Sequence, residues 1–95
     1  MSDATDTQKQ PIDVGHVLAF MIDQLADLSW QKLGLRHDPI TNGLEKNLDQ
    51  ARLAIDATDA LVKVLRPQLD GDDQRQLDNL ARDLKMNYMN HGGAS

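Results

Sequence analysis

The sequence has no cysteine, a single glutamate, one residue each of Trp, Tyr and Phe, and only ten Lys and Arg against fifteen Asp and Glu in 95 residues. Each shortage excludes something. Without cysteine there is no disulfide framework, no thiolate nucleophile and no thiolate metal site, which fits a reducing compartment. A net charge of -5 and a pI near 4.9 speak against a protein that grips phosphates, because nucleic-acid binding draws on clustered Lys and Arg, and they equally disfavour an anionic membrane surface. No apolar run approaches the ~20 residues of a membrane span, and no basic stretch followed by an apolar segment marks a secretory leader. The expectation is a cytoplasmic protein without nucleic-acid or membrane partners. Glycines 34, 43 and 71 are isolated, so neither a P-loop nor a dinucleotide fingerprint is present.

What is there is helical periodicity. We expect an all-α, small three-helix protein with helices at about 13–33, 48–66 and 72–90, a long first loop, a polar N-terminal tail (1–12), a single domain (13–91) and a short C-terminal tail (92–95). At ~100° per residue, Val14, Val17, Leu18, Met21, Ile22, Leu25, Leu28 and Leu33 fill an arc of roughly 160° on the first helix. Leu53, Ala54, Ile55, Ala57, Ala60, Leu61, Val62, Val64 and Leu65 spread over roughly 220° of the second, leaving a water-facing charged stripe of Arg52, Asp56, Asp59, Lys63 and Arg66. Leu77, Leu80, Ala81, Leu84 and Tyr88 cover only roughly 100° of the third. The widest arc needs cover on more than one side, so the second helix is expected at the centre and the third outside, antiparallel to the second across a short link.

Boundary signals agree with this division. Asp13 and Asp70 suit N-caps, Asn47 and Gln50 resemble a capping box, Gly34 suits a left-handed helix end, and Pro67 is expected to stop the second helix by pushing its predecessor out of the α region. The link over residues 34–46 carries turn signals at Asp38-Pro39 and Asn42-Gly43, and reads either as a hairpin-like excursion or as a contact surface.

Candidate chemistry is sparse. His16 and Ser29 sit 13 residues apart on one helix, a rise of ~20 Å, and the other serines, Ser2 and Ser95, lie in the expected tails, so no Ser-His-Asp set assembles. A bundle di-iron site wants two Glu-x-x-His pairs, whereas the chain offers Glu45 and a distant analogue, Asp13 with His16, which an N-cap beside a surface imidazole explains as well. Asp23 and Asp27, four apart, are placed to share a proton or cation, or simply to face water. His37 with Asp38 is the one His-carboxylate pair in the loop, and a surface histidine is its plainer reading. We therefore expect no enzyme, no catalytic residues, no cofactor and no metal.

Aromatic placement points to association. Phe20 and Trp30 fall outside the main apolar arc, and Ala19 and Ala26, one heptad apart beside Trp30, leave room for another helix. Ala19, Phe20, Ala26 and Trp30 are thus the expected interface of a homodimer, in a non-enzymatic protein-interaction or oligomerisation module open to a further protein partner. The alternative is a small-molecule or metal-handling protein whose site forms at a subunit interface from His16, Asp23 or His37.

The runs GLRHDPITNG, NLDQARLAIDATDAL and LDNLARDLKMNYMNH resemble a small bacterial family, domain of unknown function 1844: an amphipathic helix, a Gly...Pro...Thr...Gly loop, an LxQAxxxID helix, and a closing helix ending in Met and Tyr. The matching positions are Gly34, Pro39, Thr41, Gly43, Leu48, Gln50, Ala51, Ile55, Asp56, Leu80, Leu84, Met86 and Tyr88. The chain departs at Asn42, inserted between a Thr and Gly usually adjacent, and at Asp70-Gly71, where Ser or Thr followed by Pro is commoner. The resemblance implies a short helical bacterial protein and supplies no activity.

Overall fold

A computed structural model describes residues 10–93. Three helices follow one another, α1 (Val14–Lys32), α2 (Leu48–Leu65) and α3 (Gly71–Tyr88), within two residues of the expected bounds, and no strand occurs among the described residues. The expected tails fall mostly outside the described residues; within them, Met89–Gly93 forms a looser turn after α3, in which Gly92 takes φ +105°.

The caps act locally, as their residue types dictate. The Asp13 carboxylate accepts from the Gly15 and His16 N–H groups at 2.8 and 3.4 Å, and that of Asp70 accepts from the Asp73 N–H at 3.1 Å, neutralising donors the first turn cannot pair. At the end of α1 the chain reverses on Gly34 (φ +80°). Its N–H donates to the Gln31 carbonyl and the Leu35 N–H to the Trp30 carbonyl, the paired bonds of a Schellman motif.

Two boundary details differ from expectation. Asn47 caps α2 through the Gln50 N–H at 3.1 Å, but the box is not reciprocated, because the Asn47 N–H already donates to the Lys32 carbonyl at 2.7 Å across the Leu33–Lys46 bridge. Arg66, before Pro67, stays in the α region (φ -48°, ψ -46°). The proline enters the first turn of a 3-10 segment, Arg66–Gln68, where its missing N–H has no bond to lose, and the chain becomes extended only at Leu69.

Helix α2 is central and runs antiparallel to both neighbours. Asp59 meets Lys85 and Arg66 meets Asp78 on α3, while Gly15 lies beside Leu65 and Lys32 beside Asn47 on the α1 side. One core cluster joins Ala26, Leu33, Ala51, Ile55 and Leu84, with Trp30, Leu48, Leu80 and Tyr88 against it. A second joins Ile22, Val62 and Leu65, with Leu18, Leu61, Leu69, Leu77 and Leu80 around it. As expected for its narrow arc, α3 buries only Ala81 and Leu84 fully.

The inward side of α1 is not the centre of its apolar arc. Ile22, Ala26, Ser29 and Leu33 are buried, whereas Val14, Val17, Met21 and Leu28 are exposed, so the core-facing meridian is turned by roughly 70° from the middle of the arc. The cause is packing partners: α3 and the 34–46 link lie against the Ala26 and Trp30 side, so α1 turns that edge inward.

Replacing Gly34 by Ala forces a side chain into the left-handed region, and urea unfolding should show a loss of about 1–2 kcal/mol. Gly43→Ala, at a negative φ with only the Thr41 hydroxyl nearby at 3.9 Å, should stay within about 0.5 kcal/mol of the parent or exceed it slightly. Equal losses at both sites would refute the assignment of Gly34 as the helix-ending turn.

Candidate interaction surface

The expected interface residues are split by the fold. Ala26 is 6% exposed within the first core cluster and Trp30 packs against that cluster, so both belong to the chain's own interior. Ala19 and Phe20 remain outside, Phe20 63% exposed on the polar side of α1. No four-residue edge forms, because the wheel assigned to a partner the very side that Leu84, Ala51 and Ile55 cover.

The groups considered for chemistry are held by local structure. Asp27 accepts from Arg36 of the link and from Gln31 Nε2 at 2.7 Å, so it anchors the link to α1 instead of pairing with Asp23, which stays exposed. Asp38 accepts from the Ile40 and Thr41 N–H groups at 2.7 and 3.3 Å, closing a turn completed by Asn42 at φ +58° and by the Asp38 N–H to Gly43 carbonyl bond, so His37 stands exposed without that carboxylate. The link is thus a pinned excursion with Ile40 and Leu44 outward. His16 lies in water, its Nδ1 3.9 Å from the capping Asp13. Ser29, the one serine among the described residues, is fully buried and donates to the Leu25 carbonyl at 2.8 Å. Among the described residues no three His, Asp or Glu side chains gather to hold a metal ion.

The charged stripe of α2 has a task the sequence did not show. Asp59 accepts from Lys63 of its own helix at 3.1 Å and from Lys85 of α3 at 3.0 Å, and Arg66 Nε is shared between the two oxygens of Asp78 at 3.0 and 3.1 Å. Part of that stripe therefore clamps α3. Burial alone pushes the Asp59 carboxyl upward, but hydrogen bonds and charge from Lys85 and Lys63 outweigh it and hold the group below its ordinary value of 3.8.

A cavity of about 770 Å³ opens where the start of α1, the end of α2 and the start of α3 converge, walled in part by Val14, Leu18, Val64, Leu65 and Leu77. Asp13, at its rim, is engaged in capping. The mouth is wide, and His16, Gln68, Asp73 and Gln76 stand among its apolar walls.

The distinctive surface is the side of α1 and α2 away from α3. On α1, Val14, Val17, Met21, Gln24 and Leu28 recur at spacings of three, four, three and four, and all are exposed. On α2, Gln50, Leu53, Ala57, Ala60 and Val64 recur at the same spacings, and all but the half-buried Ala57 are exposed. Leu53 at 64% and Val64 at 61% are far outside any core. The strips adjoin, because Leu28 and Leu53 border one groove of about 190 Å³, at whose end stands Lys32, paired with Glu45, and Val14 and Val64 wall the end cavity. None of these ten positions is charged, in a chain with 26% charged residues. The signal was available in the sequence as a strict heptad, but it lay inside the wide arcs assigned wholly to the core.

A profile for a domain of unknown function (DUF1844) matches residues 16–90, which takes in all but the first two residues of the three helices, both core clusters and both strips from Val17 onward. The chain belongs to this family. No curated protein and no solved structure matches it. The family assignment thus covers the helical domain and names no activity. Among the described residues no helix is long and apolar enough to cross a membrane.

Two predictions come from this geometry. Asp59→Asn should lower stability at neutral pH. A carboxyl held low contributes above the unfolded value and loses its contribution as pH falls through the folded one, so the gap between variant and parent should close below about pH 4 in urea titrations. A gap unchanged at pH 3 would refute the clamp. Trp30→Ala should cost roughly 2–4 kcal/mol, as removal of a core aromatic does, and Phe20→Ala less than about 0.5 kcal/mol. Equal costs would mean that Trp30 is not part of the core.

Proposed function

We propose that this DUF1844 chain is a non-enzymatic protein-interaction module of the cytoplasm, working through the uncharged α1/α2 face. The observation that carries the reading is the pair of adjacent, exposed heptad strips without a charge. A lone exposed leucine is ordinary on a protein surface, but a contiguous apolar patch two helices wide marks a place where another surface belongs. Spacing of three and four residues is the pattern that packs helix against helix, so the expected partner surface is itself helical.

The rest of the molecule supports this reading over chemistry. His16, His37 and His91 sit on α1, the link and the terminal turn, and the carboxylates Asp13, Asp27, Asp38 and Asp59 serve caps, a turn and clamps. Along the α2/α3 edge, Lys63 and Lys85 are engaged with Asp59, and Arg66 with Asp78.

Site-specific photo-crosslinking in cells tests it. A photo-reactive residue at position 57, on the face, should give protein adducts that disappear when Leu53→Lys and Val64→Lys are added, while one at position 83, exposed on α3, should give few. Adducts at 83 and not at 57, or adducts at 57 indifferent to the two lysines, would overturn the reading.

A further inference from the structure

We infer that the occupant of the α1/α2 face is a second copy of this chain, the two copies closing an antiparallel four-helix bundle with α3 of each on the outside. The inference rests on the reading of that face as the interaction surface and adds the identity of the partner.

The geometry is that of half a bundle. Helices α1 and α2 are antiparallel, and their strips match level by level: Leu28 stands opposite Leu53 across the seam groove, while Val14 and Val64 share the far end. Each strip has five positions at heptad spacing, four of them apolar, with one uncharged amide, Gln24 or Gln50. What completes such a half is another antiparallel pair carrying the same neutral heptads, and the chain itself supplies one. A two-fold axis in the plane of the face, along the helices or across them, makes every neighbouring pair antiparallel, the arrangement in which bundle helices pack.

Size and charge agree. The strips run from Val14 to Leu28 and from Gln50 to Val64, about 21 Å each, and helices pack 8–10 Å apart, so the face spans roughly 21 by 20 Å in projection. In projection that is about half the ~800 Å² per partner of a standard stable interface, a footprint suited to a reversible dimer. Two chains of charge -5 repel, and contact centred on the ten strip positions, none of which is charged, keeps Asp49 and Asp56 at the rim, where water screens them.

The purified full-length chain should be followed by light scattering after size exclusion over a hundredfold concentration range, with circular dichroism on every variant. The parent should read about twice 10.6 kDa at high concentration and fall toward 10.6 kDa on dilution, and its melting temperature should rise with concentration. Leu53→Lys combined with Val64→Lys, both at exposed positions, should keep the helical spectrum and read 10.6 kDa throughout, losing the concentration dependence. Asp23→Lys, exposed and well around α1 from the strip, should leave the dimer intact. A parent that is monomeric at every concentration, or a dimer that survives the double substitution, would overturn the inference. If the parent is monomeric while crosslinking at position 57 still depends on Leu53 and Val64, the second copy is wrong and the interaction reading stands. If that crosslinking fails as well, both fall.

Discussion

The rest of the structure depends on how α1 and α2 meet. Of the ten side chains these helices bury, half are Ala, Ser or Thr: Ala26 and Ser29 on α1, Ala51, Ala54 and Thr58 on α2. Small residues let two helices approach closely, and they leave little volume for large side chains to enter between them. The hydroxyls in this seam need no partner across it, because Ser29 donates to the Leu25 carbonyl and Thr58 to the Ala54 carbonyl at 2.7 Å, each four residues back on its own helix. The contact is therefore set by shape. Helices drawn together along so narrow a seam cannot both bury arcs of 160° and 220°, and the excess must face a third body.

On one side that body is supplied by the chain. Helix α3 covers the flank of α2 that carries Ile55 and Val62, held by the Asp59–Lys85 and Arg66–Asp78 pairs at its edge. The link over residues 34–46 follows the Trp30 and Gln31 flank of α1, because Arg36 reaches Asp27 and the Leu35 N–H reaches the Trp30 carbonyl. Its far end is returned to α1 by the Asn47 N–H bond to Lys32 and by Lys32 with Glu45 at 3.6 Å. A long connection is thus closed by few bonds, each at a residue whose type suits it: Gly34 for the reversal, Asp38 for the turn, Asn42 for the left-handed step. Among the described residues Asn42 is the one non-glycine at positive φ.

Features legible in the sequence were those whose cause is local. The three helices, the caps at Asp13, Asn47 and Asp70, the reversal at Gly34 and the central place of α2 follow from periodicity and from which residues can bond to a helix end. What escaped was decided by tertiary partners. A helical wheel ranks residues by apolarity and so made Val14, Val17, Met21 and Leu28 core, but Ala26 and Ser29 fit the seam because they are small, and Trp30 was carried inward with them. The same blindness turned part of the α2 stripe into a mere solvent face, since Lys85 is 26 residues away from Asp59 and no local rule links them. At Arg66 a rule of average behaviour lost to context, as the 3-10 turn absorbs the proline without leaving helical angles.

The uncovered side of the seam combines two opposed requirements. An excess of acid keeps copies apart in solution, yet that repulsion is screened within ~8 Å at physiological ionic strength, whereas apolar contact acts only on touching surfaces. The two are arranged side by side: Asp23 and Asp27 lie around α1 from its strip, Asp59 lies toward α3, Asp49 and Asp56 border the α2 strip, and the ten strip positions themselves hold no carboxylate. A random scatter of charge over these helices would have put some on the ten strip positions, and one lysine or aspartate there would do little harm to a monomer, because the positions are already wet. Their neutrality is what the proposed partner surface would require. Within the chain, nothing among the described residues covers them, and the 3-4 spacing of Val14, Val17, Met21 and Leu28 against that of Leu53, Ala57, Ala60 and Val64 is a requirement of helix-on-helix packing that a solvent face does not have.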